Sequence, residues 1–345
     1  MAALCTAPLL GLLLAVAPTA HAAPDPDLTI TDVDLSKPAV AVSGLNLAPV
    51  DVTVKAGYDS SNPADDDITL VVMLERTSGT GPLDAIFSTS LKRTSGQLQN
   101  GVWTGRLNVP STANGTFAVT GVMTGPYGYP ASPMNDPTPF AGPALAVTGY
   151  NLPSVTAAVS PKVVPFGSPF SIRWAVTNSA TGKPYGSRIP VRLGIDTGCV
   201  EGIGGPLVRT GTDGIVTKSY AAADAKSVLC LQMLGDPFVI KNLGLVVAKP
   251  GIVSASPSKT SAPVGTVVPV NGSVAGAPWN CKVWLQRQYG ATQWRSVGSG
   301  AVRTSGRFTL SAQPAYKGLI PYRAYMPTCG SYQAGISKAF YIRGL

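Results

Sequence analysis

From Asp25 onward, apolar and polar positions alternate over short runs. The segments DVTVKAGY (51–58), ITLVVMLE (68–75), GTFAVTGV (115–122), SIRWAV (171–176), IPVRLGI (189–195), CKVWLQRQ (281–288) and FYIRG (340–344) are rich in Val, Ile, Thr and aromatic residues, and clusters of Gly, Pro, Asn and Ser separate them. A period of two is what a strand shows when one face meets a core and the other meets water. Many such runs between turn residues predict antiparallel sandwiches. Sustained 3.6-residue periodicity with capping signals is absent outside short pieces such as YAAADAKS (220–227). The expected fold class is therefore all-β.

The pattern also repeats. Val208-Arg209-Thr210 with GIVTKS from Gly214 resembles Val302-Arg303-Thr304 with GRFTLS from Gly306, and Lys92-Arg93-Thr94-Ser95-Gly96 is a weaker copy. VSGLNLAPVDV (42–52) likewise resembles VTGYNLPSVTA (147–157). A period near 100 residues is one sandwich per repeat, and it suggests boundaries near Leu152 and Pro250, where NLP and AKPG interrupt the strands. The expected organisation is three tandem sandwiches, at 23–152, 153–250 and 251–345, after a signal peptide at 1–22. That signal is read from LLGLLLAVA (9–17) and the small-x-small site Ala20-His21-Ala22, with cleavage before Ala23. The apolar core is too short to span a bilayer, and no membrane span is expected elsewhere.

Composition narrows the chemistry. The only histidine is His21, inside the expected signal, so Ser-His-Asp and Cys-His catalysis and histidine-ligated zinc have no residue to use in the processed chain. Beyond Cys5, four cysteines remain, Cys199, Cys230, Cys281 and Cys329, and export makes disulfides the expectation. Of three pairings, 199 with 230 and 281 with 329 keeps each bond within one sandwich. A four-thiolate zinc site competes, without a C-x-x-C pair to seed it.

The residues resemble a known class. CKVWLQRQYG, QWRSVGSGAVRTSGRFTL and YRAYMPTC in the last segment, with VDVTVKAGYDSSN, GVWTGRLNVP and NGTFAVTGV in the first, look like the immunoglobulin-like (Ig-like) modules of secreted proteins from high-GC Gram-positive bacteria. The resemblance implies tandem β-sandwiches and no shared catalytic residues. Cys281 opens an expected strand C rather than lying in strand B, so the likeness is to the general sandwich, not to antibody domains.

Charge separates the segments. Residues 23–152 hold 12 Asp and Glu against 6 Lys and Arg, 153–250 hold 5 against 10, and 251–345 hold none against 10, for net charges of −6, +5 and +10. A basic segment of this kind suits an anionic cell-envelope polymer or glycan, nucleic acid, membrane headgroups or another protein. Alternatively, the acidic and basic ends attract one another in self-association, or the charge is a solvated surface with no ligand. Alternation in CKVWLQRQ puts Lys282, Trp284, Gln286 and Gln288 on one face, and the same rule in YRAYMP separates Arg323 and Tyr325 from Tyr322. If these strands are neighbours, Trp284, Gln286, Arg323 and Tyr325 share an outer face that Trp294 and Arg295 could join, a set suited to stacking on sugar rings while arginine grips an anionic group. The competing account is ordinary core, because a one-residue slip of register turns Trp284 inward.

Other candidates carry less. Asp59, Asp65, Asp66 and Asp67 supply oxygen ligands for calcium, the one cofactor considered, but depart from the D-x-D-x-D-G spacing, and a solvated acidic loop competes. Asp25, Asp27, Asp32 and Asp34 read as acids facing water. Glu75 and Glu201 fall in different segments, against a paired-carboxylate hydrolase. Ser256 and Lys259 match S-x-x-K in a Pro-rich stretch without its companion elements. Asn114-Gly115-Thr116 and Asn271-Gly272-Ser273 fit the glycosylation sequon, though Asn-Gly in such a chain reads first as a hairpin turn. The expected function is a secreted, non-catalytic binding protein of the surface or cell wall, with a structural spacer as the alternative and a hydrolase as a third class.

Overall fold

The computed structural model describes residues 23–60, 67–125, 136–196, 199, 204–236 and 239–345. The expected signal peptide, Asp65, Asp66 and Glu201 lie outside the described residues.

The described chain is built of antiparallel strands, with one short 3-10 turn at Ala222–Lys226 where YAAADAKS broke the strand pattern. The first ten are β1 (Leu28–Leu35), β2 (Ala39–Ser43), β3 (Leu47–Tyr58), β4 (Leu70–Ser78), β5 (Ala85–Phe87), β6 (Lys92–Gln97), β7 (Asn100–Pro110), β8 (Gly115–Thr124), β9 (Thr138–Pro139) and β10 (Ala144–Tyr150). The next seven are β11 (Pro153–Ser160), β12 (Phe170–Asn178), β13 (Pro190–Asp196), β14 (Leu207–Arg209), β15 (Ile215–Tyr220), β16 (Val228–Leu234) and β17 (Val239–Leu245). The rest are β18 (Val253–Pro257), β19 (Ser261–Ala262), β20 (Val268–Val274), β21 (Lys282–Tyr289), β22 (Gln293–Ala301), β23 (Arg307–Ala312), β24 (Gly318–Met326), β25 (Gly335–Ile336) and β26 (Phe340–Gly344).

They form three successive pairs of sheets. The orders are β1-β3-β7-β6 with β2-β10-β8-β4-β5, then β11-β12-β15 with β14-β13-β16-β17, then β18-β20-β23 with β19-β26-β24-β21-β22. In each pair the first, second and fifth major strands share one sheet and the third, sixth and last share the other, which is the A-B-E and C-F-G division of an Ig-like sandwich. In the last pair, β19 runs parallel to β26 while the other ladders are antiparallel. Period-two burial explains the layers. In β3, Val50, Val52, Val54 and Ala56 are buried while Asp51 and Lys55 meet water. In the last pair, Val283, Leu285, Phe308, Leu310, Tyr322, Ala324 and Ile342 fill the space between the sheets. Tyr322 donates its hydroxyl to the carbonyl of Gln313 at 2.9 Å, the tyrosine-corner bond of Ig-like strand F, and burial holds its pKa above the usual phenol value.

Two compact units emerge. One takes residues up to Val40, Ala48–Val109 and Gly115–Val147; the other takes Ala41–Leu47, Pro110–Asn114 and Thr148–Leu345. The second unit holds two pairs of sheets without a division at Pro250. Both disulfides lie in it, with Cα separations of 5.5 Å for Cys199–Cys230 and 6.0 Å for Cys281–Cys329. Cys230 is paired across its ladders with Gly194 and Gly244, and a side chain at 244 would press on Cys199 Sγ, so glycine makes room for this bond on the face opposite Leu229, Leu231 and Met233.

The repeats divide into two kinds. Gly214 and Gly306 each take a φ of 75° in a tight turn entering β15 and β23, and their carbonyls accept the amides of Val176 and Val274 at the ends of β12 and β20. Those copies are the same structural device. The 42–52 and 147–157 segments are not equivalent: the first leads into β3, the second into β11, and they lie side by side, with the Gly44 amide donating to the Tyr150 carbonyl at 2.9 Å.

Of the acidic N-terminal run, Asp27 and Asp34 are exposed as expected, and Asp25 is not. Asp25 is 8% exposed and its carboxylate accepts hydrogen bonds from Thr124 Oγ1 at 2.7 Å, Tyr58 OH at 3.2 Å and the Asp27 amide at 3.1 Å. Asp25→Ala removes the carboxylate that Thr124 and Tyr58 share and is expected to cost about 2 kcal/mol, read as a lower denaturant midpoint for the unit that contains β1 and β8.

Candidate functional site

The outward face of the β19-β26-β24-β21-β22 sheet brings most of the expected residues together. Trp284 stands opposite Tyr325 and Gln286 opposite Arg323 on the ladder between β21 and β24, and Trp294 stands opposite Gln288 on β22. Arg323 is held on two sides: its Nε donates to Gln286 Oε1 at 2.8 Å, and its guanidinium carbon sits 4.3 Å from the centre of the Trp294 ring. Lys282 places its ammonium 4.2 Å from the centre of the Trp284 ring. Cations over indole faces gain quadrupole attraction and lose conformational freedom before any ligand arrives.

Arg295 does not join this face. It pairs with Arg287 on the opposite face of the sheet, where it remains exposed, stacks its guanidinium 5.0 Å from the Tyr289 ring and donates to Gln293 Oε1 at 3.1 Å. Consecutive strand residues point to opposite faces, so Trp294 and Arg295 cannot both look outward. A bulge decides which one does: Leu285 pairs with Gly298 and Gln286 with Ser296, leaving Val297 unpaired.

Sequence reasoning found the strand FYIRG but missed that its residues belong to this face. Tyr341 on β26 pairs with Pro321, and Arg343 pairs with Leu319, which continues the same face. Tyr341, Leu319 and Ile336 are 55%, 56% and 52% exposed, so one sheet face carries aromatic, aliphatic and cationic groups in open solvent. The alternation in FYIRG was a usable signal, but only the ladder between β24 and β26 assigns it to this face.

The other candidates are dispersed. Asp59 and Asp67 are exposed, and Asp59 contributes with Asp27, Thr31 and Gln99 to a shallow cleft of about 290 Å³ in the first unit. Among the described residues, no group of three or more His, Cys, Asp or Glu is placed to hold a metal ion. Glu75 is exposed on β4, and Ser256 and Lys259 are exposed at the extended end of β18, not on a helix. Neither Asn-Gly pair forms a hairpin: Asn114 precedes β8, whose neighbour β7 lies in the other sheet, and Asn271-Gly272 sits within β20. No helix among the described residues is long and apolar enough to cross a membrane.

No family model matches this chain, and no curated protein does. Among solved structures, the chain is similar to the Escherichia coli adhesin FdeC, at 13% identity and a TM-score of 0.29 over 92% of this chain and 98% of that one. It is also similar to a tetra-tandem repeat from the extending region of a large adhesion protein, at 10% identity and a TM-score of 0.35 over 92% and 75% of the two chains. A third is the D0-D1 domain of intimin, at 14% identity and a TM-score of 0.22 over 55% and 97%. Superposition at these scores decides nothing about activity, which rests on the residues of this chain.

Proposed function

We propose that this chain is an exported, non-catalytic binding protein of three Ig-like modules, at 23–152, 153–250 and 251–345, whose last module recognises an anionic cell-envelope polymer or glycan. The observation that carries this reading is the outward sheet face on which Trp284, Trp294, Tyr325 and Tyr341 alternate with Lys282, Arg323 and Arg343, in a stretch of 95 residues without a single carboxylate side chain. Aromatic faces stack on sugar rings. A fixed guanidinium grips phosphate, sulfate or carboxylate bidentately, and the absence of local acids leaves nothing to compete with the ligand. The two disulfides support an oxidising compartment.

Binding of the full chain to poly(glycerol phosphate), to neutral dextran and to duplex DNA at two salt concentrations tests the proposal. Poly(glycerol phosphate) is expected to bind selectively, to retain affinity at the higher salt and to lose roughly fivefold with Trp284→Ala, since the indole that seats the Lys282 ammonium contributes about 1 kcal/mol. Indiscriminate binding that vanishes with salt and ignores Trp284 would reduce the face to generic charge. A spacer role is favoured by one separate feature, the close joint between the last two pairs of sheets, where Lys249 and Tyr332 form a parallel bridge.

A further inference from the structure

Between β17 and β18 the chain is gripped by the turn that joins β24 to β25. The Lys249 amide donates to the Ser331 carbonyl and the Gln333 amide donates to the Lys249 carbonyl, both at 2.8 Å, forming a parallel bridge between Lys249 and Tyr332. Tyr332 completes the grip. Its hydroxyl donates to the Gly276 carbonyl at 2.7 Å, its ring lies 6.4 Å from that of Phe166 in the β11–β12 connection, and the Lys249 ammonium sits 5.3 Å from its ring centre. Gly251 and Gly335 approach so closely that a side chain at either would meet the backbone of the other segment.

The turn that presents Tyr332 is only four residues long. Cys329 and Tyr332 exchange two backbone hydrogen bonds at 3.0 Å around Gly330, which takes a φ of 56°. Cys329 is bonded to Cys281 at the start of β21. Of the two disulfides, this is the more accessible: Cys199 and Cys230 are 3% and 0% exposed, whereas Cys329 is half-buried against a 5% exposed Cys281.

We propose that the Cys281–Cys329 bond is the lock of this joint, holding the 329–332 turn where Tyr332 can clamp the linker, so that reducing the bond frees the last two sandwiches from each other while both stay folded. The reductant is a dithiol. Its first thiolate attacks Cys329 Sγ and Cys281 leaves as a thiolate; its second thiolate displaces Cys329 from the mixed disulfide. The reductant departs as its own disulfide, and the protein gains two electrons and, on protonation of both thiolates, two protons. Cys281 belongs to the core of the last sandwich and Cys329 packs against it, but reduction leaves both side chains in place as thiols, and Val270, Leu285, Phe308, Tyr322 and Ile342 supply the rest of that core.

Hydrogen exchange of the full chain reads the joint directly through the amides of Lys249 and Gln333. After mild reduction with a dithiol and alkylation, these two amides are expected to exchange at least tenfold faster, while the Val270 and Leu310 amides of the β20–β23 ladder and the Ile172 amide of β12 keep their protection. A Cys281→Ser/Cys329→Ser variant should behave in the same way, and Tyr332→Ala should accelerate the same two amides with the disulfide intact. Unchanged Lys249 and Gln333 exchange after reduction overturns the proposal, as does equal acceleration at Val270 and Leu310, which would make the bond a general staple of the sandwich. Failure of Tyr332→Ala to open the joint also overturns it.

Discussion

Gly272→Val is expected to destabilise the second unit by about 3 kcal/mol, at the upper end of what overpacking a core costs. Gly272 faces inward from the middle of β20, the central strand of its sheet, directly across from Phe308. The Phe308 ring, 1% exposed, occupies the space that a side chain at 272 would need, and the Ser254 carbonyl closes the other side. The requirement is for space and not for backbone freedom, since Gly272 is absent from the glycines with positive φ. Gly272→Ala should therefore also lower stability, by less, and Phe308→Leu should recover part of the loss in a double variant by making room. Denaturant unfolding followed through tryptophan fluorescence gives the answer. An unchanged midpoint for Gly272→Val would mean that the ring can move aside without penalty.

That glycine also shows where sequence reading ends. Asn271-Gly272 has the composition of a hairpin turn, and nothing local distinguishes it from one. It is a strand position because a ring contributed by β23, more than 30 residues away, fills the gap it leaves. Period-two alternation worked where burial is one-sided, as in β3 and β21, because each inward residue is local evidence of a strand face. The same rule placed Trp284, Gln286, Arg323 and Tyr325 on one face, and the ladder between β21 and β24 puts them there. It let both Trp294 and Arg295 join that face and could not choose between them, because the side of Arg295 is set by the unpaired Val297 and a bulge leaves no mark in a stretch as uniform as SVGSGA. Tyr341 was invisible for a different reason: its strand was legible but its neighbour was not. Asp25 looked like a terminal acid in water because its partners, Tyr58 and Thr124, come from β3 and β8.

Arg323→Ala is expected to weaken poly(glycerol phosphate) binding about 30-fold, corresponding to roughly 2 kcal/mol for a charge-assisted contact. Among the described residues, Arg323 uses only Nε on a protein acceptor, Gln286 Oε1, and rests its plane on Trp294, so both terminal nitrogens remain for a bidentate oxyanion. The informative comparison is Arg323→Lys. Lysine keeps the charge but lacks the planar fork and its stacking on the indole, so it should recover the salt-dependent, long-range part of the attraction and leave most of the loss in place. Stability should hardly change, because Arg323 is part-exposed and neither it nor Gln286 belongs to the core. Titration calorimetry at two salt concentrations separates the cases. If Arg323→Lys binds as the unaltered chain does, the ten cations of residues 251–345 act as a diffuse field and the geometry around Trp294 has no part in recognition. If Arg323→Lys stays close to Arg323→Ala at high salt, the guanidinium, its glutamine and its indole form one seat, and the selectivity of the face is built into the pairing of β21 with β24.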